Sequence, residues 1–247
     1  MDDFKQHPPN SNQIDAEHDR PDFLRPETEP IHKDDGDSIH NSERELARKR
    51  KQEKAEVRKK FLKIYLTLLQ KNDIKAIEDL IATQLAKICI PLFNREYLLL
   101  NAYLKVNDNK QIDTQVNNIM DHVPMNSKQK SALAKSVFYI YVDKKNASMI
   151  DRLLEMVSTT NDHALYRQMD MVNDTLISGG IKYYDELKSD LEDVEYTKNN
   201  ADTPYLEFLL SVIYKNMGNE SKSKEYKNRA LEDCKGTVYE SLIKSQN

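Results

Sequence analysis

From Val57 onward the apolar positions recur at helical intervals and are cut by short polar breaks. Phe61, Ile64, Tyr65, Leu68 and Leu69 fall on one helical face. Ile112, Val116, Ile119, Met120 and Val123 follow steps of 4, 7, 8 and 11, and Ile150, Leu153, Leu154 and Val157 steps of 3, 4 and 7. Leu206, Leu209, Leu210, Ile213 and Met217 give 3, 4, 7 and 11. A half-buried strand would alternate with a period of two, so these segments predict amphipathic helices. The breaks are Asn72-Asp73, Asn107-Asp108, Lys145-Asn146, Gly179-Gly180 and Gly218-Asn219, spaced 34 to 39 residues apart with two amphipathic segments in each interval. Boundary signals agree: Asn94 precedes "REYLLLNAYL", Pro124 closes a pair, Ser127 is placed to cap the next, and Thr203-Pro204 opens the last with Pro at the first helical position. One helical hairpin cannot bury its apolar face alone. Two helices per unit at this period therefore predict an all-α array of about five stacked antiparallel hairpins.

Residues 204–235 carry a further pattern. Leu210-Ser211, Tyr214, the turn Gly218-Asn219, then Ser223, Tyr226 and Ala230 resemble a tetratricopeptide repeat: a Leu-small pair and an aromatic in the first helix, a small residue, an aromatic and a late Ala in the second. Lys235 stands where that family closes with Pro. Residues 93–124 keep Tyr103, Asn107-Asp108 and Pro124 but place Leu100 and Ile112 where the family prefers small residues. The resemblance implies a right-handed solenoid over 61–247 with a concave face lined by first helices. Carried over repeat by repeat, the groove positions are Tyr97, Asn101 and Lys105, then Lys135 and Tyr139, then Met169 and Asn173, then Val212, Lys215 and Asn216. An Asn amide both donates to and accepts from a peptide backbone, which singles out Asn101 and Asn173. The repeat spacing also resembles the C-terminal sensor domains of Rgg-like, RRNPP-type peptide-responsive regulators, but their N-terminal helix-turn-helix has no counterpart here.

Charge divides the N-terminal part. Residues 1–41 hold 11 acidic against 4 basic side chains, net −7, with five of the eight prolines and four of the six histidines. Isolated apolar residues there cannot offset backbone entropy, so a disordered acidic tail is expected. Its histidines, His7, His18, His32 and His40, are too widely spaced to suggest one metal site. Residues 43–63 hold 10 basic against 4 acidic side chains, net +6. "SERE" at 42–45 has the form of a capping box, predicting a charged helical extension over 42–60. Arg48, Lys49, Arg50 and Lys51 are the candidate nucleic-acid contacts of an alternative reading, a nucleic-acid-associated transcriptional regulator using 44–63. Four consecutive positives spiral around a helix, so two or three of them share a side, and no aromatic is interleaved for base stacking.

Catalytic patterns are missing: there is no GxGxxG, P-loop, HExxH or GxSxG. His122 and His163 fall at predicted helix ends. Cys89 lies among Ile88, Ile90 and Leu92 and Cys234 closes the last apolar face, without CxxC spacing, which suggests core positions and a reducing compartment. The start lacks an apolar h-region and no run approaches a membrane span. The expectation is a cytoplasmic, non-enzymatic protein without cofactor that holds a protein or peptide on a concave face, as scaffold or regulatory adaptor.

Overall fold

A computed structural model describes residues 38–88, 90–193, 197–198, 200–237 and 239–245. The expected tail therefore lies, up to residue 37, outside the described residues, as does Cys89. Among the described residues the structure is helical without a strand, in the order α1 Ser38–Gln70, α2 Ile74–Ile88, α3 Leu92–Val106, α4 Asn109–His122, α5 Ser127–Asp143, α6 Ala147–Ser158, α7 His163–Val172 continuing as a π-helical turn Asn173–Ile177, α8 Tyr184–Glu192, α9 Thr203–Asn216, α10 Glu220–Asp233 and α11 Glu240–Ser245. No described helix is long and apolar enough to cross a membrane. The described chain falls into two compact units, one ending at Met125 and one beginning at Asn126.

Four of the five predicted breaks share one construction. Asn72, Asn107, Lys145 and Gly218 take φ of 54°, 56°, 51° and 77°. The amide of each donates to the carbonyl three residues back, and the next amide to the carbonyl five back, as Asn107 to Leu104 at 3.2 Å and Asp108 to Tyr103 at 3.1 Å. This left-handed stop satisfies the last carbonyls of one helix. The residue after it caps the following helix: Asp73 Oδ1 accepts from the Ala76 amide, Asp108 from Gln111, Asn146 from Met149 and Asn219 from Lys222, all at 3.1 to 3.2 Å. Two residues thus end one helix, start the next and turn the chain.

The break at Gly179-Gly180 differs. Before it the helix widens into the π turn, where the Ser178 amide reaches Asn173 O at 3.0 Å and the Gly180 amide Asp174 O at 2.7 Å. The Asp174 carboxylate accepts from the Lys182 amide at 3.1 Å, and a Cβ on Gly180 would lie 2.2 Å from Asp174 Oδ1. A side chain at position 180 would therefore displace the Asp174 carboxylate and break its bond to the Lys182 amide.

In the first unit Phe61, Tyr65, Ile77, Ile81, Leu98 and Ala102 form the core that joins α1, α2 and α3. The Tyr65 hydroxyl donates to Leu98 O at 3.0 Å and Tyr103 to Glu78 at 2.7 Å. Glu96, nearly buried on α3, accepts from Gln115 Nε2 at 2.8 Å and Asn118 Nδ2 at 3.2 Å on α4. In the second unit α5 packs on α6, α6 on α7, α8 on α9, α9 on α10 and α10 on α11, while the π turn touches both α5 and α9.

Several boundaries shift. The charged helix begins at Ser38, not at a Ser42 cap, and runs through residue 60 without interruption. Asn94 lies inside α3, which starts at Leu92. The cap of α5 is Asn126, whose side chain accepts from the Gln129 amide while Gln129 accepts from the Asn126 amide, both at 3.0 Å; Ser127 is the first helical residue. An Asx oxygen one residue earlier reaches the first-turn amides, so the box closes there.

Candidate functional site

The N-terminal half of α1 is a polar arm. Residues 44–57 are exposed on every side, whereas Phe61 and Tyr65 further along the helix are buried. At 3.6 residues per turn, Arg44, Ala47, Arg48, Lys51, Gln52, Lys54, Ala55, Arg58 and Lys59 share a sector of about 160°. It holds six cations and no carboxylate. Glu45, Glu53 and Glu56 all lie in the rest of the circumference, with Lys49, Arg50 and Lys60. Of the candidates Arg48, Lys49, Arg50 and Lys51, the helix therefore brings Arg48 and Lys51 together and turns Lys49 and Arg50 away. Arg44, Lys54, Arg58 and Lys59 complete the face; the signal that finds them is period 3.6 applied to charge. The sorting is costly: Arg44–Arg48, Arg48–Lys51, Lys51–Lys54 and Lys54–Arg58 are like-charged pairs three or four residues apart, each unfavourable by about 0.2–0.5 kcal/mol.

The groove residues divide between the units. On α3 in the first unit, Tyr97 is half-buried with its ring stacked on Phe93 at 5.3 Å, Asn101 is half-buried and Lys105 is exposed in the last turn. In the second unit the candidates lie along adjoining helices, and several bridge them. Lys135 pairs with Asp162 at 3.3 Å. Burial works against the charge of Asp162, but the Leu165 amide and the Lys135 ammonium together outweigh it, and its carboxyl is held below the usual range. The Tyr139 hydroxyl accepts from Gln168 Nε2 on α7 at 3.2 Å, and its ring meets Tyr205 of α9 edge-on at 6.0 Å. Burial pushes that hydroxyl up to about 12. Asn216 Nδ2 donates to Thr175 O at 3.3 Å and Gly180 O at 3.2 Å, tying α9 to the π turn. Met169 is 1% exposed and belongs to the core. Asn173 opens the π turn half-buried, Val212 is half-buried and Lys215 is exposed.

The positions that carry the repeat resemblance are buried: Leu210, Ser211, Tyr214, Ser223, Tyr226 and Ala230. Tyr214 and Tyr226 stack at 5.5 Å across the α9–α10 pair. Leu100 and Ile112, the large residues at small-residue positions, are also fully buried.

Other candidate chemistry is accounted for locally. His122 and His163 are exposed at the end of α4 and the start of α7. Cys234 is a buried free thiol. Glu192 and Asp193 are exposed, while burial raises the carboxyl of half-buried Asp190. Among the described residues no three His, Cys, Asp or Glu side chains gather as metal ligands. Sequence reading missed Glu207, whose side chain is 1% exposed between α9 and α10 and pairs with Arg229 at 2.6 Å. Burial raises its carboxyl above the usual range despite Arg229, and Asp233 adds to the rise. Compared with protein-family models, curated proteins and solved structures, the chain matches none.

Proposed function

We propose that the chain is a non-catalytic, tetratricopeptide-like repeat module that binds a protein or peptide and acts as a scaffold or regulatory adaptor. One observation carries the reading: the same left-handed stop and Asx cap recur at four joints and make a series of helical pairs. In the second unit the first members of successive pairs come side by side, through Tyr139–Gln168 between α5 and α7 and Asn216–Thr175 between α9 and the π turn. Stacked pairs of this kind present extended surfaces suited to peptides and partner helices. The second unit offers Asn173 and Lys215, an amide for a backbone and a cation for a carboxylate. The first offers Asn101 and Lys105 on α3 in the same roles. The burial of Leu210, Ser211, Tyr214, Ser223, Tyr226 and Ala230 supports the likeness to the repeat family.

The test starts with affinity capture by the full chain from source lysate, with nuclease treatment and mass spectrometry of protein and peptide fractions. The affinity of the captured partner is then measured against Asn173→Ala/Lys215→Glu and, separately, Asn101→Ala. The expected result is a loss of at least tenfold in one variant with an unchanged unfolding midpoint. Full affinity in both variants removes the groove assignment.

A further inference from the structure

We infer that the cationic sector of α1 is a docking face for B-form double-stranded DNA, independent of the groove proposed above. The face is Arg44, Arg48, Lys51, Lys54, Arg58 and Lys59, with the small residues Ala47 and Ala55 and the amide of Gln52 between them. Three observations converge. The arm is exposed on every side over 44–57, so it exists as a helix without burying a core. Its charges are sorted by side: the opposite side carries Glu45–Lys49, Lys49–Glu53 and Glu56–Lys60 four residues apart, each a favourable pair, whereas this face sets positive beside positive at Arg44–Arg48 and Lys54–Arg58. A polyanion turns that internal repulsion into attraction. Finally, the six cations are spread over residues 44–59, which span about 22 Å of straight helix at 1.5 Å per residue. A rigid row of that length matches a rigid duplex, whose phosphates supply one charge per roughly 1.7 Å of axis.

The choice of duplex follows from shape and from what the arm lacks. No aromatic lies between residues 44 and 60, so the stacking platform of single-strand binders is missing. The exposed apolar residues on the far side, Leu46, Val57 and Ile64, are interrupted by Glu53 and Lys60, which breaks the continuous apolar stripe a membrane surface requires. A B-form major groove of about 12 Å admits a helix, whereas the A-form major groove is too narrow. Small side chains at Ala47 and Ala55 let the backbone approach, and the flanking cations reach phosphate.

The experiment uses the full chain and a fluorescein-labelled 20-base-pair DNA duplex of arbitrary sequence, read by anisotropy across a salt series. Six contacts predict a log–log salt slope of magnitude about 5. The triple variant Arg48→Gln/Lys51→Gln/Lys54→Gln is expected to weaken binding at least tenfold and reduce the slope by about 3. The control Lys49→Gln/Arg50→Gln/Lys60→Gln removes the same charge from the other side and is expected to change affinity by less than threefold. Gln keeps the helix, which circular dichroism checks. No binding by the full chain at low salt overturns the proposal. Equal losses in both triple variants overturn it by showing that charge acts without a face. Equal or tighter binding to an RNA duplex, or to vesicles containing anionic phospholipid, overturns the choice of B-form DNA.

Discussion

At the scale of single residues, the joints set different constraints on similar turns. Lys145 holds φ of 51° with a side chain that gains nothing from that conformation, whereas Gly218 sits at 77° with open space around a would-be Cβ. Left-handed backbone costs an ordinary L-residue roughly 1 kcal/mol. Lys145→Gly is therefore expected to stabilise the chain by about 0.5–1 kcal/mol and Gly218→Ala to destabilise it by about 1 kcal/mol, both read by urea denaturation. Glu207 gives a pH prediction. Its folded-state carboxyl is raised above the unfolded value, so the folded state holds more protons as the pH rises past the ordinary carboxylate range. Its contribution is most favourable at acid pH and declines as pH climbs from about 4.5 through the raised folded value. Glu207→Gln should flatten that decline, and denaturation midpoints across a pH series would show it. The same falling slope in wild type and variant would remove Glu207 as its source.

At the scale of elements, caps decide where helices start and packing decides which face they bury. Asn126, not Ser127, closes the capping box of α5. Asn126→Ala is expected to cost about 1 kcal/mol and Ser127→Ala only a few tenths, measured side by side in urea. The α3–α4 pair is held by a buried carboxylate as well as by apolar contact: Glu96 takes Gln115 and Asn118 together. Gln115→Leu removes one charged hydrogen bond while Arg95 and Asn118 still reach the carboxylate, and is expected to cost about 1 kcal/mol, whereas a purely apolar seam would tolerate the change. Breaks and helical faces were legible in the sequence because Asn, Gly and Asp at a stop and period 3.6 in the apolar positions are local signals. Starts were less legible. "SERE" has the form of a cap, yet α1 runs through it from Ser38, although Ser38, Ile39, His40 and Asn41 are middling helix formers; the strong formers lie only on the C-terminal side. The π turn at Asn173–Ile177 left no periodic signature, since its extra residue is held by Gly180 meeting Asp174 and by Asn216 of α9.

At the scale of the whole molecule, stability and the cationic arm are separable. Residues 44–57 are all exposed and none belongs to the core, so a chain beginning at residue 58 is expected to unfold within about 0.5 kcal/mol of the full chain, with the same cooperativity. A larger loss in urea denaturation would mean that the arm or the segment before it contributes to the fold. The groove candidates show the opposite coupling. Lys135, Tyr139 and Asn216 already bridge neighbouring helices, so substitutions there weaken packing together with any surface they form. Lys105 and Lys215 are exposed and report on binding without that penalty.

The sequence by itself determined that the described chain is helical, where most helices end, and which faces turn inward for most apolar residues, because these follow from local stops and from a period that one helix imposes on its own side chains. Ile64 and Met217, placed on those faces by period alone, are exposed, since no neighbouring helix covers the edge they occupy. It also contained the sorted charge of α1, once the helix was extended through it. Only the tertiary structure decided that Met169 is core, that Asn216 holds a carbonyl of the π turn, and that Glu207 lies buried beside Arg229. Each of those depends on residues about 20 or more positions away, brought near by packing between helices, and no local pattern encodes which neighbour a helix will meet.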